Sequence, residues 1–142
     1  MTRLSPAELA ALAAAEAAAA TAATAAAERA LTAERESTEA RIAALQRDFD
    51  AIVSSGAYAS ADDEHDPEGS STAFDRQHVA ALLAQARDQL AAISRAAQRL
   101  SDGSYGTCEG CGLPIGAERL AARPAAATCV RCAGGRTSRR TG

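Results

Sequence analysis

The sequence predicts a mainly α-helical protein: a long antiparallel helical hairpin, paired as a coiled coil, followed by a small C-terminal four-cysteine module. Three observations lead to this fold class. Of the 142 residues, 40 are alanine; apolar residues recur every three or four positions along two long segments; and four cysteines form two close pairs near the C-terminus. Only 20 residues are Leu, Ile, Val or Phe, too few for a broad core. Because alanine is the best helix former, long helices with narrow apolar seams fit this composition.

The first predicted element is an alanine-rich helix over residues 1–27. Ser5, Pro6 and Glu8 have the pattern of a helix start, with serine as the cap, proline in the first turn and glutamate completing a capping box. Glu8, Glu16 and Glu28 interrupt the alanine run, and no stretch of Leu or Ile forms an apolar segment of membrane length. We therefore expect neither export nor a membrane partner, and a cytoplasmic location.

Residues 28–103 predict the coiled-coil hairpin. The helix that begins near Pro6 meets no proline or glycine until about Val53, and the heptad pattern of its second half is broken clearly only at Arg35. The second arm, which ends at Gly103, alternates more strictly. The predicted seam consists of Leu31, Thr38, Ile42, Leu45, Phe49 and Ile52 in the first arm and Val79, Leu83, Ala86, Leu90, Ile93, Ala97 and Leu100 in the second.

Residues 54–71 lose this periodicity and collect Ser, Gly, Pro and acidic side chains, which predicts the turn of the hairpin. Thr72 and Asp75 then predict the start of the second helix. We call residues 60–69 the acidic tip. Such a tip can carry negative charge into a narrow cationic or metal-containing cavity, although acidic runs also occur as plain solvated turns. Its carboxylates are Asp62, Asp63, Glu64, Asp66 and Glu68.

Residues 104–133 predict a C4 zinc finger. Cys108 and Cys111 form one Cys-x2-Cys pair, and after seventeen residues Cys129 and Cys132 form another, which is a spacing typical of zinc sites. Four thiolates complete a tetrahedron without an open position, so we expect one structural Zn²⁺. Two disulfides, or four free buried cysteines, are the alternatives; a reducing cytoplasm and the paired spacing disfavour both.

The C-terminal end of the sequence is basic. No acidic residue follows Glu118, and Arg119, Arg123 and Arg131 are candidate basic contacts. Residues 134–142 predict an Arg-rich disordered tail.

Composition and motifs also exclude several classes of function. A net charge of −3 and a pI near 5.4 argue against a protein whose main task is to wrap DNA. The sequence has no Ser/His/Asp arrangement, phosphate-binding glycine loop or open metal site, so we expect no enzymatic activity of its own.

The cysteine module and its flanks resemble the zinc finger of the DksA/TraR family of bacterial RNA polymerase regulators. Outside the cysteines, the resemblance is carried by Tyr105-Gly106, Gly112, Ile115, Arg119-Leu120 and Ala122-Arg123-Pro124. It implies a regulator that binds RNA polymerase directly, inserts its coiled coil into the secondary channel and places tip carboxylates near the active centre. It implies no sequence-specific DNA reading.

Two family features are altered in this sequence. The family's tip pattern, Asp-x-x-Asp-x-Ala, is matched at Asp63 and Asp66, whereas Glu68 replaces the alanine. The family's guanosine tetraphosphate site has a basic group directly after the last cysteine, where this chain has Ala133. We therefore expect no binding of that nucleotide in the family's manner.

Three other interpretations stay open at this point. The chain could be a zinc-ribbon adaptor or nucleic-acid-binding module that acts through its Arg-rich C-terminal end. Its tip acids could help to hold a second Mg²⁺ for transcript cleavage, with catalysis belonging to the polymerase. The heptads could also pair between two chains, although we expect a monomer.

Overall fold

The computed structural model describes residues 3–59 and 67–135, without the side chains of 57–59 and 67–70. Its helices are α1 (Pro6–Ala59), α2 (Pro67–Asp102), α3 (Ala117–Ala122) and α4 (Val130–Ala133). The predicted mainly α-helical fold is confirmed, and the only β pairing within the described ranges is an isolated bridge between Thr107 and Pro114. The chain divides into two compact units. Met1–Thr32 and Ala96–Gly142 form the finger unit, and Ala33–Arg95 forms the hairpin unit.

The predicted capping box begins α1. The backbone N–H of Ser5 donates to the Glu8 carboxylate at 2.6 Å, and the N–H of Glu8 donates to the Ser5 hydroxyl at 3.3 Å. The Ser5 N–H bond lowers the pKa of Glu8 below its ordinary value, because it favours the charged carboxylate. The sequence signal for this helix start is thus matched by its hydrogen bonds.

The alanine-rich part of α1 continues as one helix into the hairpin unit without a break. Its first three turns carry exposed leucines, including Leu9 and Leu12. Farther along, Ala20, Ala23 and Ala27 share a cleft of about 610 Å³ with Leu100, Tyr105 and Leu120, all within the finger unit. Alanine side chains are too short to fill such a space, so this contact contributes little apolar burial.

One stretch of α1, within Pro6–Gly56, has the length and apolar composition of a membrane-crossing helix. Signal sequences and buried core helices meet the same criterion, so the finding is weak evidence for a membrane segment. The expectation that the chain has no membrane partner stays a prediction.

The core of the hairpin unit lies along the seam that the heptads predict. Thr38, Leu83, Ala86 and Ile93 are buried, and Ile93 has no exposed surface. In the finger unit, the register differs by one residue at the end of α2: Ala96 is fully buried, whereas the predicted Ala97 is only half-buried. Both are alanines, so the sequence offered no difference in size from which to choose between them.

Polar contacts across the hairpin unit establish that α1 and α2 are antiparallel. Gln89 donates to the Glu34 carboxylate near one end of the unit, and Arg87 donates to the Gln46 side chain at 3.1 Å farther along. Asp48 and Ile52 of α1 line one surface hollow with Asp75 and Val79 of α2, so the residue numbers rise on one helix as they fall on the other.

Arg35, the one clear violation of the first arm's heptad pattern, is also accommodated in the hairpin unit. It is half-buried, and its guanidinium donates to the Ser94 hydroxyl at 3.3 Å. The side chain is long enough to reach a polar partner on the opposite helix, so the charge is not left at the seam without a contact.

The predicted turn is too long. Helix α1 continues through Ser54, Ser55 and Gly56 to Ala59, and α2 begins at Pro67 instead of near Thr72. Proline fits the first turn of a helix because its missing N–H needs no partner there. Isolated Ser and Gly residues weaken a helix without ending it when the opposite helix is close. The opposite helix is close here, since a Cβ atom added to Gly56 would lie 3.9 Å from the Thr72 methyl carbon.

Candidate metal centre

The first cysteine pair lies in a tight turn that begins six residues after the end of α2. The N–H of Cys108 donates to the Leu113 carbonyl, and the N–H of Gly112 donates back to the Cys108 carbonyl, each at 2.8 Å. Gly112 has φ +74°, the left-handed conformation that glycine adopts without strain. The turn therefore brings Cys108 and Cys111 to the same side of the chain.

The second pair begins the short helix α4. Cys129 precedes its first residue, and the N–H of Cys129 donates to the Cys108 sulfur at 3.2 Å. The N–H of Glu109 also donates to the Ala127 carbonyl at 2.9 Å. These two bonds join the pairs across nearly twenty residues of intervening chain, which includes α3.

The four sulfurs form a cluster that fits one zinc ion. All four Sγ atoms lie within 4.8 Å of one another, and those of Cys111 and Cys129 are 3.8 Å apart. A tetrahedral site with Zn–S bonds of about 2.3 Å has S–S edges of about 3.8 Å. A disulfide needs about 2.0 Å, and none joins any of the four cysteines. These sulfur distances therefore favour a zinc site over two disulfides.

Gly110 makes room for the cluster. A Cβ atom at this position would lie 3.0 Å from the Cys132 sulfur and 3.2 Å from the Cys132 Cβ. Real Cβ atoms are rarely that close to another heavy atom. Glycine at this position thus lets the first turn approach the second pair without displacing Cys132, a close contact that the spacing pattern alone did not reveal.

The cysteines differ in acidity before any metal binds. The Cys129 N–H bond to its sulfur is the main cause that lowers the pKa of Cys108 to about 6. Hydrogen bonding within the cluster, chiefly from Cys129, raises the pKa of Cys132 to about 12. Four thiolate ligands would require Cys132 to be deprotonated, and a divalent cation at the centre of the cluster would favour that charged form.

The finger has little apolar core of its own. Ile115 is buried beside Cys108 and Cys129, and Leu120 is partly buried against them. Leu113 and Val130, the other large apolar residues of this segment, are 49% and 67% exposed. Since so little apolar surface is buried, metal binding has to supply most of the stability of the finger.

The three predicted basic contacts have different surroundings. The Nε of Arg119 donates to the Thr128 carbonyl at 2.8 Å, so this side chain helps to hold the segment that leads to Cys129. Arg123 and Arg131 are exposed. The structure therefore separates one arginine with an internal contact from two that face solvent.

The tip residues fall outside this description. Asp62, Asp63, Glu64 and Asp66 lie outside the described residues, as do the tail arginines Arg136, Arg139 and Arg140. Glu68 lies in the first turn of α2, and its side chain is not among those described. The predictions for the tip and the tail stay predictions.

Comparison with known proteins also indicates a zinc finger in this part of the chain. A family model, the prokaryotic dksA/traR C4-type zinc finger, matches residues 103–137. The RNA polymerase-binding transcription factor DksA of Caulobacter vibrioides (strain NA1000 / CB15N) is 50% identical over 44 residues, 31% of either chain. DksA of Escherichia coli (strain K12) is 42% identical over 40 residues, 28% of this chain and 26% of that protein. The solved structure of transcription factor DksA2 from Pseudomonas aeruginosa is 28% identical with a TM-score of 0.64, and covers 80% of this chain and 82% of that one.

Residues 103–137 match the DksA/TraR C4-type zinc finger, and the similarity to DksA2 supports the same family for the longer chain. Its match to the curated DksA proteins spans less than a third of their length, whereas the similarity to the DksA2 structure extends over most of the chain. The family match and the sulfur cluster together confirm the prediction of one structural zinc ion in a DksA/TraR finger. Zinc there would hold the two cysteine pairs together, and with four sulfur ligands it would leave no position for a water or substrate.

Besides Gly110, sequence reasoning missed Arg99, which lies beside the metal centre. Its guanidinium bonds to Glu109 at 3.0 Å and to the Ala126 carbonyl at 3.3 Å. A basic residue in the last turn of a helix is common because it complements the helix dipole, so the position of Arg99 carried no signal of a contact with the finger.

Proposed function

We propose that this chain is a transcription regulator that binds RNA polymerase directly and inserts its helical hairpin, with the acidic tip, into the secondary channel. The observation that supports this most strongly is the extent of the similarity to DksA2. A match over 80% of the chain is far longer than the zinc finger and must include much of the two long helices. The proteins named DksA are RNA polymerase-binding transcription factors by name, and we extend that partner to this chain.

The zinc ion has a structural role in this proposal. A site closed by four sulfurs cannot bind a substrate or activate a water, so the chain acts as a binding protein and not as an enzyme. The regulatory effect then depends on the acidic tip. Asp63 and Asp66 are its effector residues, with Asp62, Glu64 and Glu68 as further contributors. Carboxylates act strongly in a narrow channel, because the low dielectric constant and the scarcity of mobile ions leave their field unscreened.

Binding is tested by co-elution of the purified, zinc-loaded chain with core RNA polymerase, and by crosslinking from a photoreactive residue at position 63. We expect a stable complex and crosslinks to residues that line the secondary channel. No co-elution would contradict the proposal, and crosslinks only to the outer surface of the polymerase would contradict the insertion.

The role of the tip is tested by Asp63→Asn together with Asp66→Asn. We expect the double variant to bind polymerase normally and to lose its effect on transcription initiation in vitro. The control replaces two exposed acids of α1 in the hairpin unit, Glu36→Gln and Glu39→Gln, with the same change in charge. An equal effect in both double variants would show that overall charge acts and the tip does not.

A zinc-ribbon adaptor or nucleic-acid-binding module is the second candidate function, and the exposure of Arg123 and Arg131 favours it. Phosphate contacts make an affinity for DNA fall steeply with salt. If this function holds, Arg123→Gln with Arg131→Gln weakens binding to a DNA duplex and flattens the salt dependence, whereas Arg41→Gln, an exposed arginine on α1, does not. If the polymerase function holds, affinity for the duplex is low for all of them.

Three further expectations accompany the proposal. A factor that enters the channel alone is a monomer, which sedimentation equilibrium tests directly. It works in the cytoplasm, where the polymerase is. Guanosine tetraphosphate does not bind in the family's manner, since Ala133 offers no charge directly after Cys132; equilibrium dialysis of the complex with labelled nucleotide tests this.

A further inference from the structure

Arg99 reaches both halves of the finger from the last turn of α2. Its Nη1 lies 3.0 Å from a Glu109 carboxylate oxygen, and its Nη2 donates to the Ala126 carbonyl at 3.3 Å. Glu109 lies between the first two cysteines, and Ala126 lies three residues before Cys129. One guanidinium therefore contacts a residue of each cysteine-bearing segment.

The backbone of Arg99 fixes the same junction. Its carbonyl accepts the N–H of Ser104 at 2.9 Å and that of Tyr105 at 3.1 Å, which closes the end of the helix around Gly103. The chain that leaves α2 is thus directed into the first cysteine turn by the residue whose side chain holds that turn. The backbone and the side chain of Arg99 therefore both hold the junction between α2 and the first cysteine turn.

These contacts differ from an ordinary surface ion pair. The Arg99 side chain is only 11% exposed, although that of Glu109 is 56% exposed, and Arg99 adds a bond to a partly buried carbonyl. An exposed pair contributes little because solvent competes for both charges. A nearly buried guanidinium with two separate acceptors fixes the distance between those acceptors. Its planar fork can donate to both only when they are one particular distance apart.

In the closed finger, the two acceptors stand at that spacing. The N–H of Glu109 bonds to the Ala127 carbonyl, and that of Cys129 bonds to the Cys108 sulfur, so the segments meet where the sulfurs gather. Zinc holds these sulfurs together. Without the metal, only these few hydrogen bonds, the Arg119 bond to Thr128 and the small core around Ile115 keep Glu109 and Ala126 side by side.

We propose that Arg99 is a positioning residue that couples zinc binding to the order of the last turn of α2. Bound zinc presents Glu109 and Ala126 as a pair, Arg99 bonds to both, and the end of α2 is held. The coupling is reciprocal: because Arg99 favours the closed finger, it also strengthens the binding of zinc. This inference needs the zinc site and does not depend on the proposed binding to polymerase.

The first test is zinc retention by the full-length, zinc-loaded chain in competition with the chromophoric chelator 4-(2-pyridylazo)resorcinol. Arg99→Met keeps the aliphatic stem and removes the donors, and we expect roughly a tenfold loss of zinc affinity, as for groups that orient metal ligands indirectly. The matched control is Arg95→Met, an exposed arginine four residues earlier on α2, which should retain zinc like the unaltered chain. Arg99→Lys keeps the charge without the fork, so it should recover part of the affinity.

The second test separates coupling from simple stabilisation. Amide hydrogen exchange of residues 96–105 is compared with and without zinc. In the unaltered chain, removal of zinc should speed exchange there; in Arg99→Met, exchange should be fast already, and removal of zinc should change it little. A residue that only stabilised the fold would shift both states equally and leave the zinc-dependent difference intact.

Glu109→Gln keeps the test decisive if Arg99→Met does not fold. Glu109 is an exposed residue, so its replacement endangers no packing, yet it removes the charged acceptor. We expect a smaller loss of affinity and a smaller zinc-dependent difference in exchange than in the unaltered chain. The proposal is overturned if Glu109→Gln behaves like Arg95→Met in both zinc retention and hydrogen exchange. It is also overturned if Arg99→Met folds and behaves like Arg95→Met in both measurements.

Discussion

The hairpin unit and the zinc finger reach stability by opposite means. In the hairpin unit, burial is distributed along two helices, through Thr38, Leu83, Ala86 and Ile93, and no single contact dominates. In the finger, Ile115 is the one large apolar side chain that is buried, and the remaining buried positions are cysteines. The hairpin unit is stabilised by many small contributions from buried side chains, whereas the zinc finger depends on a single ion.

This difference explains why a chain so poor in large apolar residues folds at all. A narrow seam suffices for two helices, because each helix satisfies its own backbone hydrogen bonds. Residues 104–133 have little such order, since their helices α3 and α4 are short, and four thiolates on one ion replace the missing core. The predictions below change one region at a time and ask whether the other responds.

Removal of zinc should have the largest effect. Binding of a structural zinc ion supplies on the order of 10 kcal/mol, so chelation, or Cys129→Ser, should unfold the finger. We expect the amide protection of Cys108 and Ile115, whose N–H groups bond within the finger, to be lost, while the helical circular dichroism of α1 and α2 largely persists. Adding zinc back should restore protection in the chelated chain and not in the variant. Protection that survived without metal would mean that the finger has a core of its own.

Ile93→Ala should have the next largest effect, and on the other region. Ile93 has no exposed surface, and truncation of such a side chain costs about 2–4 kcal/mol through lost burial and a residual cavity. Urea unfolding followed by helical circular dichroism should show this loss, while zinc retention stays unchanged.

Ile42→Ala is the comparison for Ile93→Ala. Ile42 is half-buried in the same hairpin unit, so its truncation should cost clearly less. Equal losses would indicate that the seam is not packed as the burial of these residues implies.

Both regions were predictable where a pattern carries a physical requirement. Zinc needs four sulfurs at a fixed spacing, and Cys108 to Cys132 show that spacing outright. A helix seam needs apolar residues at heptad positions, and Leu83, Ala86 and Ile93 are buried as that rule requires. In each case the requirement is local in sequence or strictly periodic.

Features that depend on distant neighbours were not predictable. Helix α1 continues past Ser55 and Gly56 although both disfavour helix, because the partner helix lies alongside. Arg99 gives no sequence signal, since its partners Glu109 and Ala126 come together only when the finger closes. Gly110 reads as an ordinary turn residue until the Cys132 sulfur is placed against it.

Gly110→Ala tests the close approach within the finger. The added methyl group would meet the Cys132 sulfur at 3.0 Å, so one pair must shift, and we expect a loss of about 1–3 kcal/mol in the stability of the zinc-bound finger. Competition with a zinc chelator measures this. Gly134→Ala serves as the control, because a Cβ there lies 3.4 Å from its nearest neighbour, the Val130 carbonyl, and its φ of −76° suits alanine. Equal zinc retention by both variants would contradict the predicted clash, and the hairpin should not respond to either.

Thr38→Val should have the smallest effect and the opposite sign. Thr38 is buried in the seam of the hairpin unit, where its hydroxyl donates to the Glu34 carbonyl at 2.8 Å. That carbonyl also accepts an N–H bond within the helix, so removal of the hydroxyl leaves no group unpaired. Valine has nearly the same shape and buries a methyl group instead, which should raise the free energy of unfolding by about 0.5–1 kcal/mol.

Thr32→Val is the matched control, because Thr32 makes the same bond, to the Glu28 carbonyl at 2.9 Å, on an exposed face. There the methyl group stays in water, and no gain is expected. A higher free energy of unfolding in both variants would indicate an effect of helix propensity. A gain in Thr38→Val alone would indicate an effect of burial in the seam. Such graded improvement by single methyl groups is what distinguishes the hairpin from the finger.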